Sequence, residues 1–354
     1  MDSKTATPIR VLIADDSIFV RKILKEILDE DPEIEVVGIA RNGKEALEVA
    51  GWVNPDVITL DVQMPVMDGL ECLRHLMEQG SYAVVMISSD DSIGTRTAIK
   101  ALSSGAVDII KKPESMFMLS LENKKQEIIQ KIKIAKTAAL KDLYKKADIK
   151  KKQFSGEKAS KIEKIIAIGT STGGPKALQN VIPFLPGDLP ASIVIVQHMP
   201  QGFTSTLAKR LNDLSEFTVK EAEHNEPMKP GFAYIAPGDR HLVLDNGKKG
   251  IMLRLDDSEP VSGHRPSVDK MLYSLAETGM PDIIGVIMTG MGSDGAKGFF
   301  ELKKKRNIKI IAQDEKSCIV YGMPRAIVEM GIADSVIPLQ QIPKEILNFM
   351  GVQR

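Results

Sequence analysis

The chain has 354 residues, 47 Lys+Arg against 47 Asp+Glu, 43% hydrophobic residues and two cysteines. That length exceeds one average core and predicts two domains; no run approaches the roughly 18 apolar residues of a membrane span, and the polar residues 1–10 carry no apolar stretch of the kind that directs secretion. Cys72 and Cys318, far apart in the chain, exclude a disulfide framework or a cysteine zinc site, and reduced thiols fit a cytoplasmic protein.

Apolar runs at 11–14, 34–40, 57–60, 83–87 and 107–110 alternate with helical patterns near 18–29, 43–51, 69–79 and 94–104. Five apolar strands alternating with helices predict a doubly wound parallel sheet, in which function gathers at the carboxyl ends of the strands. The first run ends in Asp15-Asp16, the third in Asp61, the fourth in Ser88 and the fifth in Lys112-Pro113. Three converging carboxylates repel one another, and a hard divalent cation such as Mg²⁺ relieves that repulsion while keeping positions for phosphate oxygens. A lysine and a hydroxyl beside it suit a transferred phosphoryl group.

Together with Asp61-Val62-Gln63-Met64-Pro65-Val66-Met67-Asp68-Gly69, these residues resemble a bacterial response-regulator receiver domain. The resemblance implies a flavodoxin-like domain over 8–125 with Asp61 as phosphoryl acceptor. It implies Mg²⁺ held by Asp15, Asp16, Asp61 and the backbone carbonyl of Gln63, with Ser88 and Lys112 on the phosphoryl oxygens. One position departs from the family: Ile109 stands where members often carry an aromatic switch residue. Beyond it, apolar positions from Met118 to Leu140 suit a prolonged last helix. Residues 145–161 are rich in Lys with Ser, Gly and Gln and read as flexible linker, so 126–160 is expected to be helix extension and linker. Residues 121–164 hold 14 Lys+Arg against 6 Asp+Glu. These lysines are mixed with acids and accompanied by few aromatics, which favours a solvated helix face over a nucleic-acid surface.

The run 165–168 breaks into Gly169-Thr170-Ser171-Thr172-Gly173-Gly174-Pro175 before a helical stretch. A phosphate-binding loop would need Lys and then Ser or Thr after its last glycine, and Pro175, Lys176 and Ala177 stand there instead. The alternative is a nucleophile elbow, G-x-S-x-G, with the serine Oγ exposed on a sharp turn. The run 192–196 ends at His198, and the run 283–288 leads to Asp294. A parallel sheet brings Ser171, His198 and Asp294 to one edge, as nucleophile, base and orienting carboxylate require. Met291 and Gly292 are candidates for backbone donors to an oxyanion, with Thr172 in support. His264, before a helix start at Arg265-Pro266-Ser267-Val268-Asp269, is the second choice for base or substrate contact. His75, His224 and His241 read as surface or hydrogen-bonded structural residues. The order Ser–His–Asp differs from the Ser–Asp–His order of α/β-hydrolases.

The elbow, Gln197-His198-Met199-Pro200, the His264–Asp269 motif and Thr289-Gly290-Met291-Gly292-Ser293-Asp294-Gly295 resemble the chemotaxis protein-glutamate methylesterase family. The resemblance implies a Rossmann-like α/β domain over 161–354 with Ser171, His198 and Asp294 as catalytic residues. No cofactor is implied for the esterase. The activity implied is hydrolysis of glutamyl methyl esters on methyl-accepting chemotaxis receptors, with deamidation of receptor glutamines in some members. A chemotaxis histidine kinase is the implied phosphodonor, and the unphosphorylated receiver is expected to restrain the esterase. The opposing readings are a receiver with a silent receptor-binding output or a nucleic-acid-binding output. The second would need a basic recognition face that residues 165–354 do not spell out, so neither nucleic acid nor membrane insertion is expected.

Overall fold

The computed structural model describes residues 7–80, 82–89, 92–112, 122–139, 159–248, 250–280 and 282–352. Two compact units divide at Lys145/Lys146. The first holds a five-stranded parallel sheet made of β1 (Ile9–Ala14), β2 (Ile34–Ala40), β3 (Val57–Asp61), β4 (Ala83–Ser88) and β5 (Asp108–Lys111), in the order β2-β1-β3-β4-β5. β1, β3 and β4 carry near-continuous apolar runs because helices cover both faces of the sheet. The strand order reverses between β1 and β3, and ligands of such sheets bind at that switch point.

Helices α1 (Ile18–Asp29), α2 (Gly43–Val53) and α3 (Gly69–Gln79) start where Ser17, Asn42 and Asp68 side chains accept N–H groups of Val20, Glu45 and Glu71. On α1, Val20, Ile23, Leu24, Ile27 and Leu28 form the buried stripe that docks the helix. α4 spans Ser92–Ser104, two residues earlier than the sequence pattern. α5 (Glu122–Ala139) buries Ile128, Ile129, Ile132 and Ala135. Its lysines reach receiver acids: Lys131 to Asp108, Lys133 to Asp31 and Glu33, Lys136 to Asp56. This helix therefore stays with the receiver, and a boundary at residue 125 falls inside it. The linker expected over 145–161 lies outside the described residues up to 158.

The second unit is built on a seven-stranded parallel sheet. Its strands are β6 (Lys164–Thr170), β7 (Ala191–Gln197), β8 (Thr218–Glu221), β10 (Phe232–Ile235), β13 (Asp282–Ile287), β14 (Asn307–Gln313) and β15 (Ser335–Ile337), in the order β15-β14-β13-β6-β7-β10-β8. From β6 the chain runs outward through β7 and returns on the other side of β6 as β13, so the reversal lies at β6/β13. A smaller antiparallel sheet of β9 (Glu226–Pro227), β11 (His241–Gly247) and β12 (Gly250–Asp256), which the sequence pattern did not reveal, packs beside it. Helices α6 (Gly174–Gln179), α7 (Phe203–Leu214), α8 (Val268–Ala276) and α9 (Ala296–Lys305) follow β6, β7, β12 and β13; α10 (Met323–Glu329) and α11 (Ile342–Met350) complete the domain. Phe299, Leu272, Met271, Val268 and Ile287 are fully buried between α8, α9 and the sheet. Each such side chain contributes about 1.5–3 kcal/mol by leaving water.

Candidate functional site

In the receiver unit, Asp15, Asp16 and Asp61 bring carboxylate oxygens within 4.8 Å of one another. Asp15 and Asp61 are buried; Asp16 is half exposed. Lys112 Nζ donates to Asp61 Oδ2 at 2.8 Å and lies 3.2 Å from Asp15 Oδ2 and 3.8 Å from Asp16 Oδ1. Apart from that ammonium, the buried Asp15 Oδ2 has no hydrogen-bond donor. Burial and the neighbouring Asp61 charge push Asp15 up to about 6, and burial also raises Asp61. Lys112 is held above its ordinary value: burial opposes its charge, but the bond to Asp61 and the charges of Asp61 and Asp15 prevail. A crowded carboxylate set with an unsatisfied buried oxygen fits a hard divalent cation. Gln63 is exposed, and its backbone N–H donates to the Asp61 carboxylate. The Ser88 hydroxyl is buried and donates to the Ser89 carbonyl. Ile109 is buried in the sheet, so the aromatic position of the family is here a core aliphatic.

In the second unit the elbow is fixed by the strands on either side of β6. The Ser171 N–H and the Thr170 hydroxyl both donate to the Thr289 carbonyl at 3.0 Å, and the Gly174 N–H donates to the Ser171 carbonyl at 2.7 Å. Thr170 thus anchors the turn to the end of β13, which sequence reasoning had not anticipated. Thr289 clamps the next residue as well, its hydroxyl donating to the carbonyl of the buried Thr172 at 2.9 Å.

β7 pairs with β6 in register, Thr170 opposite Gln197, and the His198 N–H donates to the Thr170 carbonyl at 3.2 Å. Gln197 is buried, and its side-chain NH₂ donates to both the Ser171 carbonyl (2.9 Å) and the His198 carbonyl (3.1 Å). One amide therefore ties the backbone of the serine to that of the histidine. Gly174 makes this possible, because a Cβ there would stand 1.9 Å from Gln197 Oε1 and 2.5 Å from Thr170 Oγ1.

His198 Nε2 lies 2.8 Å from Asp294 Oδ2. Asp294 is 3% exposed and has every lone pair engaged. Oδ1 accepts the Ser267 hydroxyl (2.9 Å) and the Asp269 N–H (3.0 Å), while Oδ2 also accepts the Val268 N–H (2.7 Å). Burial alone would raise this carboxyl, but the bond from His198 and the N–H groups at the start of α8 hold it below the ordinary value. Asp294 therefore remains a carboxylate and accepts a hydrogen bond from Nε2–H, which makes Nδ1 the lone-pair nitrogen of a neutral ring. His198 Nδ1 is buried and has no hydrogen-bond partner. Ser171 Oγ does not reach it in this arrangement, as is common before substrate binds.

His264 lies parallel to the His198 ring, with centroids 4.0 Å apart and a 10° interplanar angle. A two-residue hairpin through Ser262 and Gly263, both at positive φ, holds it there. The remaining histidines are structural: His241 accepts the Ser267 N–H on Nδ1 and meets the Glu259 carbonyl through Nε2, His224 accepts the Leu255 N–H, and His75 sits on the surface beside Glu78. Met291 and Gly292 are exposed on the loop before Asp294. The other wall was missed by sequence reasoning: residues 319–323 pack on this loop, with Gly290 N–H to Val320 O and Gly322 N–H to Gly290 O. The basic run Lys303-Lys304-Lys305 is ion-paired with Asp334, Glu301 and Glu277 and presents no free basic face. No helix among the described residues is long and apolar enough to cross a membrane.

A serine on a strand-to-helix turn with a histidine–carboxylate pair on the neighbouring strand ends, in a chain whose other α/β unit carries an acidic cluster at its switch point, has the build of a receiver-linked hydrolase. Comparison with known proteins sharpens this class. A family model described as CheB methylesterase matches residues 166–346, and one described as response regulator receiver domain matches residues 11–122. The protein-glutamate methylesterase/protein-glutamine glutaminase of Geobacillus kaustophilus is 46% identical over 97% of this chain and 99% of its own length. A second relative of that name, from Syntrophomonas wolfei, is 44% identical over 96% of this chain and 99% of its own. The crystal structure of the Thermotoga maritima CheB methylesterase catalytic domain superposes with a TM-score of 0.51 at 47% identity, covering 54% of this chain and 99% of that one. The chain belongs to the CheB methylesterase family.

Proposed function

We propose that the second domain hydrolyses γ-methyl esters of glutamyl residues on methyl-accepting chemotaxis receptors, at a rate raised by phosphorylation of Asp61. The observation that carries the chemistry is the His198–Asp294 pair, which leaves Nδ1 unpartnered at the end of β7, the strand paired with the one that leads into Ser171. His198 Nδ1 takes the Ser171 proton as Oγ attacks the ester carbonyl. The tetrahedral oxyanion faces backbone donors of Thr172, Met291 and Gly292, and collapse expels methanol with the proton held on Nδ1. Water then attacks the acyl-enzyme with His198 again as base, restoring Ser171 and leaving a glutamate carboxylate. The same steps on a glutamine side chain expel ammonia, which is the glutaminase activity in the relatives' names. The esterase steps use side chains and backbone alone.

In the receiver, Asp15, Asp16 and Asp61 with the Gln63 carbonyl would hold Mg²⁺, and Ser88 and Lys112 would meet the phosphoryl oxygens. When bound, the cation supplies positive charge toward those oxygens. A chemotaxis histidine kinase is the phosphodonor, and the protein works in the cytoplasm, where that kinase and the receptors' methylated segments are reached. The serine assignment is tested by a fluorophosphonate label read by peptide mass. Modification of Ser171, lost in Ser171→Ala, is expected; an unlabelled wild-type chain contradicts it.

A further inference from the structure

A second buried carboxylate stands beside the catalytic set. Asp269 is 2% exposed, on the first turn of α8. Its Oδ1 accepts the N–H groups of Gly295 (2.9 Å) and Gly298 (2.6 Å), at the start of α9. Asp294, just before α9, accepts the N–H groups of Val268 (2.7 Å) and Asp269 (3.0 Å), at the start of α8. Each helix start is thus closed by the aspartate of the other. The exchange depends on residue 298 having no side chain: a Cβ on Gly298 would stand 2.8 Å from Leu272 Cβ and 3.0 Å from Asp269 Oδ1.

Holding this second charge is costly. Burial pushes Asp269 up to about 6, with the Asp294 charge adding to the rise while bonds from Gly298 and Gly295 oppose it. Capping alone needs no charge, since Asn or Ser caps a helix equally well. Beyond capping, the carboxylate holds the turn that carries its neighbour, the Asp294–His198 pair.

We propose that Asp269 is a positioning residue of the esterase, locking the turn 295–298 and with it the carboxylate that orients His198. The inference rests on the assignment of His198 and Asp294 as base and orienter. The charged and titratable groups facing Asp269 are Asp294, Lys297 on α9 and Tyr273 one turn along α8. His198 meets Asp294 at Oδ2, whereas the Asp269 N–H meets it at Oδ1.

The test uses the full chain and methanol release from methylated chemoreceptor membranes. Asp269→Asn keeps an oxygen acceptor and removes the charge. Both bonds persist to the amide oxygen, so kcat is expected to stay within about threefold of wild type. Asp269→Ala removes both bonds, and kcat is expected to fall about 10–100-fold with a much smaller change in KM. Thermal unfolding separates this from misfolding. A carboxyl raised in the folded state costs stability above its folded value, so Asp269→Asn should melt no lower than wild type at pH 8, and it carries the test even where Asp269→Ala fails to fold. An Asp269→Asn chain that melts like wild type yet loses kcat to the level expected of Asp269→Ala overturns the proposal, as does a folded Asp269→Ala with wild-type kcat. A wild-type chain that neither releases methanol nor labels at Ser171 overturns instead the reading beneath it.

Discussion

His198 Nε2 and Asp294 Oδ2 are 2.8 Å apart, so the ring meets its carboxylate through Nε2 while Nδ1 has no partner. This reverses the chymotrypsin arrangement, where the carboxylate meets Nδ1 and Nε2 is the base. The chemistry is unchanged, because either nitrogen of a neutral imidazole accepts a proton once the other is held as a donor. Asp294→Asn presents an amide that no longer enforces this tautomer. Its kcat for methanol release is expected to fall about 10³–10⁴-fold with KM little changed, which steady-state kinetics on methylated receptor membranes checks directly.

Gln197 and Gly174 form a second linked pair, since the glutamine occupies the space a side chain at 174 would need. Gly174→Ala is expected to cost about 1–3 kcal/mol by overpacking. Gln197→Ala, which strips a donor from the Ser171 and His198 carbonyls, should cost about 1–3 kcal/mol. The double variant removes the closer of the two clashes and leaves that with Thr170 Oγ1, so its loss should be smaller than the sum of the two. Urea denaturation of the three variants measures the coupling.

Asp61→Asn removes the proposed phosphoryl acceptor and changes no residue of the esterase unit. Basal methanol release is expected to match wild type, and the response to acetyl phosphate with Mg²⁺ should vanish. Phosphate incorporation, read by acid-labile ³²P, should vanish with it.

Asp15 is raised from 3.8 to about 6 by burial and by Asp61. A carboxyl raised on folding adds no cost below pH 3.8; its cost grows as pH rises toward 6 and is complete above it, about 3 kcal/mol by linkage. Asp15→Asn should therefore raise the receiver's melting temperature at pH 7.5 and leave it nearly unchanged at pH 4. The variant should also lose the stabilisation that millimolar Mg²⁺ gives wild type. Calorimetry at the two pH values, with and without Mg²⁺, checks both.

Much of this arrangement is legible in the chain itself, for a physical reason. Parallel strands covered on both faces are written as short apolar runs, and the residue just past each run falls on the functional edge. Asp15, Asp61, Ser88, Ser171 and His198 were found that way. Asp294 lies seven residues beyond β13, and the glycines around it marked the loop. What stayed hidden depends on long-range packing. The antiparallel sheet of β9, β11 and β12 has no distinctive period in its two-residue first strand. Residues 319–323 become a wall of the site only through pairing with Gly290. Ser267 reads as an ordinary N-cap, and nothing local says that its hydroxyl also serves Asp294. Gln197 looks like the last residue of a strand until its amide is seen to join two carbonyls.

The central claim is that Ser171 carries an esterase governed by Asp61. Methanol release from methylated chemoreceptor membranes tests it most directly, with wild type and Ser171→Ala each assayed with and without acetyl phosphate and Mg²⁺. The account expects release by wild type that rises with the phosphodonor and is lost, to a residual level, in Ser171→Ala. Undiminished release by Ser171→Ala, or wild-type release indifferent to the phosphodonor, would contradict it.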